Sequence, residues 1–280
     1  MNVELLDAHV HLTDERLKQS LPAIFQSYGD IHLAKALVVG TCPEDWPEVI
    51  EFCAQDERFI PAVGLHPWKV NTAPPDWRDR LLHYLEQGVT VIGEIGLDQW
   101  IQDHDIERQQ EAFTWQLSLA AERNLPTSIH CLKAHEPLLQ TLRSMPLPER
   151  GFKLHAYNGP VDTMRPLLDL GAHFSFNAGQ FKPNAKRVYQ LIKQVPDDRL
   201  LIETDAPNFQ LPVERQEFSL NDPELCHPGN IRVSYRLVAE LRNCSVEALA
   251  EQVAANFQDY FNPTPRSPPG GTGYSHSSRS

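Results

Sequence analysis

Short apolar segments rich in β-branched residues alternate with longer amphipathic segments along most of this sequence. Each short segment is predicted as a β-strand. The eight predicted strands span residues 4–9, 35–40, 59–65, 90–97, 126–131, 151–156, 172–177 and 200–203. Regular alternation of strands with helices is typical of parallel βα units, so we predict an α/β protein.

The segments between the strands show the periodicity of helices. Residues 44–56 carry apolar side chains at helical spacing, and residues 77–86 and 106–123 behave similarly. A doubly wound open sheet would fit this alternation, but eight successive units favour a sheet that closes into a TIM (β/α)8 barrel. The 280 residues suit one such domain, which takes about 250 residues. We predict one barrel domain over residues 1–262.

Residues 263–280 differ in composition from the rest of the chain. They are rich in Pro, Gly and Ser and have no apolar periodicity. Such a segment cannot bury enough apolar surface to fold. We expect a disordered tail, in part vector-derived.

The overall charge and the cysteines narrow the class of protein. A formal net charge of -12 argues against sequence-independent binding along long nucleic acids, because that affinity comes from lysine and arginine. The five cysteines are scattered, which argues against a disulfide framework, and there is no apolar run of about 18 residues. We therefore expect a cytoplasmic protein with no membrane segment and no obligate protein partner.

The first strand runs into the sequence Asp7-Ala8-His9-Val10-His11. Residues two apart on a strand project to the same face, so His9 and His11 should aim at one point, as in a metal site. Two exposed histidines at a strand end would give the same local pattern. The interpretation therefore depends on what stands at the ends of the other strands. We expect Asp7 to accept a hydrogen bond from a neighbouring ligand or backbone group rather than to bind metal.

Further metal-ligating residue types occur at the ends of four other predicted strands. They are Glu94 on the fourth, His130 on the fifth, His155 on the sixth and Asp205 just after the eighth. Each alone could be a buried histidine, a turn carboxylate or a helix cap. Barrel active sites are assembled at the carboxyl ends of the strands, so their coincidence there favours a metal site.

Six ligands exceed the needs of one four-coordinate ion, and two divalent ions about 3.5 to 4 Å apart fit better. We assign His9, His11, Glu94 and Asp205 to the first ion and Glu94, His130 and His155 to the second. The ions are predicted to be Mg, Mn or Zn. Such ions lower the pKa of a bound water towards 7 and so supply a hydroxide nucleophile, with Glu94 as the bridge and Asp205 as the general base. The predicted reaction is hydrolysis.

These residues lie in motifs that together resemble the TatD family of metal-dependent deoxyribonucleases. The motifs are D-A-H-V-H at 7–11, G-L-H-P at 64–67, G-E-I-G-L-D at 93–98, His130, His155 and E-T-D-A-P at 203–207. The resemblance spans residues 3–260. It implies a TIM barrel, a two-metal site with the ligands above, and hydrolysis of phosphodiesters, often at the 3′ end of DNA. Single-stranded DNA ends, or a small phosphodiester, are then the expected substrate.

The sequence departs from the family pattern after two strands. Leu132 stands where the family commonly has an arginine, with Lys133 beside it, and Ala156-Tyr157-Asn158-Gly159 follows His155 in place of the usual C-F-S-G. An arginine would grip phosphate with two hydrogen bonds, which leucine cannot. His66, after the third strand, and Lys182, after the seventh, are the candidates for substrate binding.

Two other functions remain compatible with the same residues. The metal site could hydrolyse a small amide, ester or lactone, although Glu94 stands where the barrels with a carbamylated lysine bridge need lysine. A metal-stabilised scaffold with a closed coordination sphere is the third interpretation.

Overall fold

The structure, a computed structural model, describes residues 3–261. Eight strands lie in these residues, close to the predicted positions. They are β1 (Leu5–Val10), β2 (Leu33–Val39), β3 (Phe59–Val63), β4 (Val91–Asp98), β5 (Thr127–Leu132), β6 (Phe152–Leu154), β7 (Ala172–Phe176) and β8 (Leu200–Ile202). The predicted tail, residues 263–280, lies outside the described residues.

The strands form one parallel sheet in the order of the sequence, from β1 to β8. Backbone hydrogen bonds beyond the end of β8 bring the last strand back to the first. Asp205 N donates to His9 O at 2.9 Å, and His11 N donates to Ala206 O at 2.8 Å. The predicted TIM barrel is confirmed, and its closure places the segment around Asp205 directly beside His9 and His11.

Nine α-helices lie in residues 3–261 and surround the sheet. They are α1 (Leu21–Asp30), α2 (Trp46–Ala54), α3 (Trp77–Glu86), α4 (Ile106–Arg123), α5 (His135–Arg143), α6 (Val161–Asp169), α7 (Lys186–Gln194), α8 (Ile231–Arg242) and α9 (Val246–Phe261). Within the described part of the chain, none of these helices has the length and apolar character needed to span a lipid bilayer.

Side chains along β1 alternate between the hydrophobic core on one face of the sheet and polar contacts inside the barrel on the other face. Leu6, Ala8 and Val10 are buried in the hydrophobic core. Asp7 and His9, which lie between them, are also fully buried, and their contacts reach β4, β5 and the segment after β8. The barrel interior is therefore polar below its carboxyl rim, where the strands deliver their ionisable side chains.

Candidate metal centre

The six predicted ligands converge at the carboxyl ends of the strands. His9, Glu94, His155 and Asp205 are buried, while His11 and His130 keep side-chain exposures of 12% and 14%. Their facing nitrogen and oxygen atoms lie 2.8 to 3.7 Å apart. The six residues come from five strand ends and span some two hundred residues of the chain, and the fold brings them into one cluster.

Glu94 stands at the centre of this cluster, and its two carboxylate oxygens face different histidines. Oε2 lies 3.4 Å from Nε2 of both His9 and His11. Oε1 lies 3.0 Å from His130 Nδ1 and 2.8 Å from His155 Nε2. One carboxylate therefore connects two separate pairs of imidazoles.

Glycine at position 96 allows the strand that carries Glu94 to approach β5 closely. Its φ is +143°, and a Cβ atom there would lie 2.0 Å from His130 O. No side chain larger than hydrogen fits, so Gly96 is required for Glu94 and His130 to be neighbours.

Asp205 lies on the side of the first histidine pair. Its Oδ1 is 3.3 Å from His11 Nε2 and 3.7 Å from His9 Nε2. Within residues 3–261 this buried oxygen has no hydrogen-bond partner. A buried carboxylate oxygen without a donor is costly, which indicates that another group completes its surroundings.

The outer nitrogens of the first pair contact β2, which neighbours β1, and β5, which lies further round the sheet. His11 Nδ1 lies 2.9 Å from Val39 O, and since a carbonyl only accepts, Nδ1 must carry a proton. His9 Nδ1 lies 2.8 Å from Ser128 Oγ. The inner Nε2 atoms, 3.2 Å apart, are thereby left facing each other, as in paired metal ligands.

In the second pair a carboxylate holds the outer nitrogen of His130, whereas His155 Nδ1 has no hydrogen-bond partner within residues 3–261. Asp98 Oδ2 lies 2.8 Å from His130 Nε2. Burial would raise the pKa of Asp98, but hydrogen bonds from His130, Trp68 and the Trp100 backbone lower it to about 2. Asp98 is therefore ionised and accepts, so His130 Nε2 donates. Glu203 Oε1 lies 3.6 Å from His155 Nδ1 and also accepts a hydrogen bond from Ala156 N at 2.8 Å.

The carboxylates attract positive charge to this cluster. Burial lowers the pKa of His11 and His155, but Asp205 and Glu94 raise that of His11 to about 9, and Glu94 and Glu203 raise that of His155 to about 10. Burial and the charge of His155 lower the pKa of His9 to about 4. Protonated histidines and divalent cations compete for the same nitrogens, so the site suits cations.

The donor set fits divalent metal ions. Ligand atoms lie within 4.8 Å of one another in three groups, namely His9, His11 and Asp205; His66, Glu94 and His130; and His9, His155 and Glu203. Imidazole nitrogens together with carboxylate oxygens accommodate Zn and Mn, and the partly exposed His11 and His130 leave an approach from the pocket.

His66 lies beside the cluster, but its protons distinguish it from the ligands. Its Nδ1 accepts a hydrogen bond from Trp68 N at 3.1 Å. Burial lowers the pKa of His66, so the ring is neutral and its proton lies on Nε2, 3.3 Å from Glu94 Oε1. His66 thus offers a hydrogen-bond donor at the site, which is the chemistry of a substrate contact rather than of a metal ligand.

A pocket of about 390 Å³ opens above the cluster. Its lining includes Arg16, Lys69, Trp68, Trp100 and Leu132 together with most of the predicted ligands. Lys182 is exposed after β7 and does not line this pocket, so the structure does not bring it to the site. Arg16 and Lys69 are the arginine and the lysine among these lining residues, and the sequence analysis singled out neither of them.

The sequence reasoning also missed the residues that orient the ligands. Ser128 precedes His130 by two positions and shares its face of β5. Asp98 ends the G-E-I-G-L-D motif, and Glu203 begins E-T-D-A-P. Asp98 and Glu203 therefore stand inside the motifs that the sequence analysis singled out. Only Glu94 and Asp205 in these two motifs were assigned a role there.

A barrel that gathers four histidines and two carboxylates at its carboxyl rim has the architecture and donor set of a metal-dependent hydrolase. Comparison with known proteins gives the family. The family described as "TatD related DNase" matches residues 6–262, and the chain belongs to it.

Relatives match along almost their whole length. "Uncharacterized metal-dependent hydrolase YcfH" of Escherichia coli is 29% identical over 261 residues, covering 92% of this chain and 96% of its own. "3'-5' ssDNA/RNA exonuclease TatD" of Erwinia amylovora is 27% identical over 263 residues, covering 92% and 99%. The crystal structure of YjjV, a TatD homologue from Escherichia coli, superposes with a TM-score of 0.84 at 26% identity, covering 92% and 98%.

Proposed function

We propose that this protein is a dinuclear metal-dependent hydrolase that cleaves phosphodiester bonds at the ends of single-stranded DNA. The observation that carries the metal part is the division of the Glu94 oxygens between His9 with His11 and His130 with His155. A carboxylate placed between two ligand sets is typical of two-metal phosphoesterases. The family and the name of the Erwinia relative support the nuclease part.

The ligands fall into two sets that share Glu94. The first ion would be held by His9, His11, Asp205 and Glu94, and the second by His130, His155 and Glu94. When bound, two divalent ions lower the pKa of a water molecule and polarise a phosphoryl oxygen. Ser128, Val39 and Asp98 contact the outer nitrogens of His9, His11 and His130, so the inner nitrogens of these three residues would be available to the ions.

Asp205 is the proposed general base. Burial raises its pKa, but His11 and the other nearby histidines lower it below the ordinary value, so the carboxylate is ionised. An ionised carboxylate only accepts hydrogen bonds, and Asp205 Oδ1 has no donor within residues 3–261. Placed beside the first proposed ion, this ionised carboxylate would orient the attacking water and take its proton.

His66, Arg16 and Lys69 supply the polar contacts that a phosphate needs. The neutral His66 directs its Nε2 proton towards the centre, next to Glu94. Lys69 and Arg16 line the pocket, although Arg16 Nη2 already donates to Asp14 Oδ2 at 2.7 Å and would be shared between Asp14 and a phosphate. The net negative charge of the whole chain disfavours binding along a long duplex, so a strand end held in the pocket is the proposed substrate. Lys182 does not line this pocket and is not assigned this role.

The test is release of mononucleotides from a single-stranded oligonucleotide labelled at its 5′ end. We expect stepwise shortening from the 3′ end with Mg, Mn or Zn and none after chelation. Asp205→Asn is the matched variant, since it keeps the shape of the side chain and removes its basicity. Absence of shortening with all three metals, together with turnover of another substrate, would contradict the nuclease proposal.

One observation favours a second candidate, hydrolysis of a small amide, ester or lactone. Cys131 and Leu132 line the pocket at the position where the family commonly has an arginine. An apolar wall there suits an uncharged substrate better than a phosphate. A panel of small amides, lactones and phosphate diesters, assayed with the same metal-loaded protein, separates the two candidates.

A further inference from the structure

Two tryptophans at the mouth of the pocket remain half exposed. Trp68 is 49% exposed and Trp100 is 57% exposed, and both line the pocket above the ligand cluster. Large aromatic side chains left open to solvent beside a catalytic centre are unusual, because their burial is strongly favourable. Their exposure here indicates that they contact the substrate.

Trp68 is held rigidly in spite of its exposure. Its indole Nε1 donates to Asp98 Oδ2 at 2.7 Å. Its ring meets the His66 ring edge to face at a centroid distance of 5.2 Å and lies 6.3 Å from the His130 ring. A ring that is already fixed loses little conformational entropy when a ligand packs on it.

Trp100 is attached to the same carboxylate through its backbone. Trp100 N donates to Asp98 Oδ1 at 2.6 Å. Asp98 is in turn bracketed by the side chain of Gln109, which accepts from Asp98 N at 2.8 Å and donates to Asp98 O at 2.9 Å. One buried carboxylate therefore fixes both tryptophans relative to His130, and so relative to the place of hydrolysis.

We propose that Trp68 is the platform on which the base of the terminal nucleotide stacks, with Trp100 extending the same aromatic surface. This inference rests on the proposed function and specifies its substrate. Every nucleobase has a planar face, and stacking on an aromatic side chain strengthens binding without selecting a particular base. The polar His66 and Lys69, which flank Trp68 in the chain, remain for the phosphate.

The kinetic test compares two oligonucleotides that differ only at the 3′ terminal residue, which is either thymidine or an abasic tetrahydrofuran. The measured quantity is the ratio of kcat/KM for the thymidine end to that for the abasic end. We expect the wild type to prefer the thymidine end by about 5-fold to 100-fold, and Trp68→Ala to reduce this ratio to about 1.

Trp68→Phe separates stacking from the hydrogen bond to Asp98, because phenylalanine keeps a ring and lacks the N–H group. It should retain most of the preference. Trp115→Phe, on α4 outside the pocket, is the control and should leave the ratio unchanged. If Trp68→Ala lowers kcat/KM equally on both substrates, the ratio stays unchanged. This result would overturn the proposal, since Trp68 would then act only through Asp98.

A binding measurement keeps this inference separate from the proposed function. Thymidine 5′-monophosphate added to the metal-loaded protein should quench the tryptophan fluorescence saturably, whereas inorganic phosphate should not. The quenching should be clearly smaller in Trp68→Phe, where Trp100 is the tryptophan left beside the ligand, and should be unchanged in Trp115→Phe. Such quenching without hydrolysis of DNA would refute the nuclease proposal and support the platform, and hydrolysis of DNA with unaltered quenching in Trp68→Phe would do the reverse.

Discussion

His130 donates a hydrogen bond from Nε2 to Oδ2 of the buried Asp98 across 2.8 Å. This bond directs the opposite nitrogen, Nδ1, at Glu94 and His155. A carboxylate that accepts from the outer nitrogen of a histidine fixes the ring and makes the inner nitrogen more basic. Asp98, which is not one of the proposed ligands, should therefore increase the metal affinity of the site through its hydrogen bond with His130.

Replacing Asp98 should therefore weaken metal binding. Asp98→Asn removes the negative charge, and we expect an affinity about 10-fold to 100-fold lower for the second ion, which His130 would hold. Calorimetric titration of metal-free protein with Mn or Zn measures this loss. Asp105→Asn, at the start of α4, keeps a capping side chain and serves as the control. Unchanged affinity in Asp98→Asn would show that the hydrogen bond does not support the ligand.

Asp205→Asn should separate catalysis from metal binding. Asparagine keeps an oxygen near His11 but cannot take a proton from water, so we expect kcat to fall about 100-fold to 10,000-fold while most of the metal is retained. Rates and metal content are measured on the same preparation. If the protein were a metal-stabilised scaffold, the substitution would leave its function unchanged.

The Asp7 carboxylate joins the first strand to the segment after β8. It accepts from Thr204 Oγ1 at 2.6 Å and from Thr204 N at 3.0 Å. Thr204→Val removes the hydroxyl and leaves a buried oxygen without its donor, so the free energy of unfolding should fall by about 1 to 3 kcal/mol. Urea denaturation measures the change. Thr90→Val, at an exposed position, should stay within about 0.5 kcal/mol of the wild type.

His173, on β7, should make the fold sensitive to acid. Burial and the charge of Arg199 lower its pKa to about 3. Below pH 6.5 the unfolded chain binds a proton that the folded chain does not, so stability is present above that pH and is lost as the pH falls towards 3. Between pH 7.5 and 5.0 the wild type should lose about 2 kcal/mol more unfolding free energy than His173→Phe. His104→Gln, at an exposed position, should behave like the wild type.

The barrel was predictable because each unit carries its own periodicity. The ends of the helices at 77–86 and 106–123 agree with the structure, and Asp105 and Asn124 cap the longer one. The helix predicted over 44–56 is shorter, Trp46–Ala54. Asp45 directs its carboxylate to Thr41 N and Oγ1 and so belongs to the preceding loop.

The convergence of the six candidate ligands was predictable because barrel strands deliver their ends to one rim, whereas the hydrogen-bond partners of these residues depend on the assembled interior. His9 on β1 meets Ser128 on β5, 119 residues away, and His11 meets Val39 O at the end of the next strand, only once the barrel has formed. The sequence also does not show which loop side chains line the pocket. Lys182 follows a strand and yet lies outside the pocket lining, while Lys69, three residues after His66, lines the pocket.

Metal content per chain tests the two-ion site most directly. After loading with Mn or Zn and removal of excess metal, mass spectrometry of the wild type should give two ions per chain. Glu94→Gln, which removes the charge of the shared carboxylate, should give one ion or fewer. Glu122→Gln, an exposed substitution on α4, should keep two. A wild type that binds a single ion, or a Glu94→Gln variant that keeps two, would contradict the role of Glu94 as the bridge.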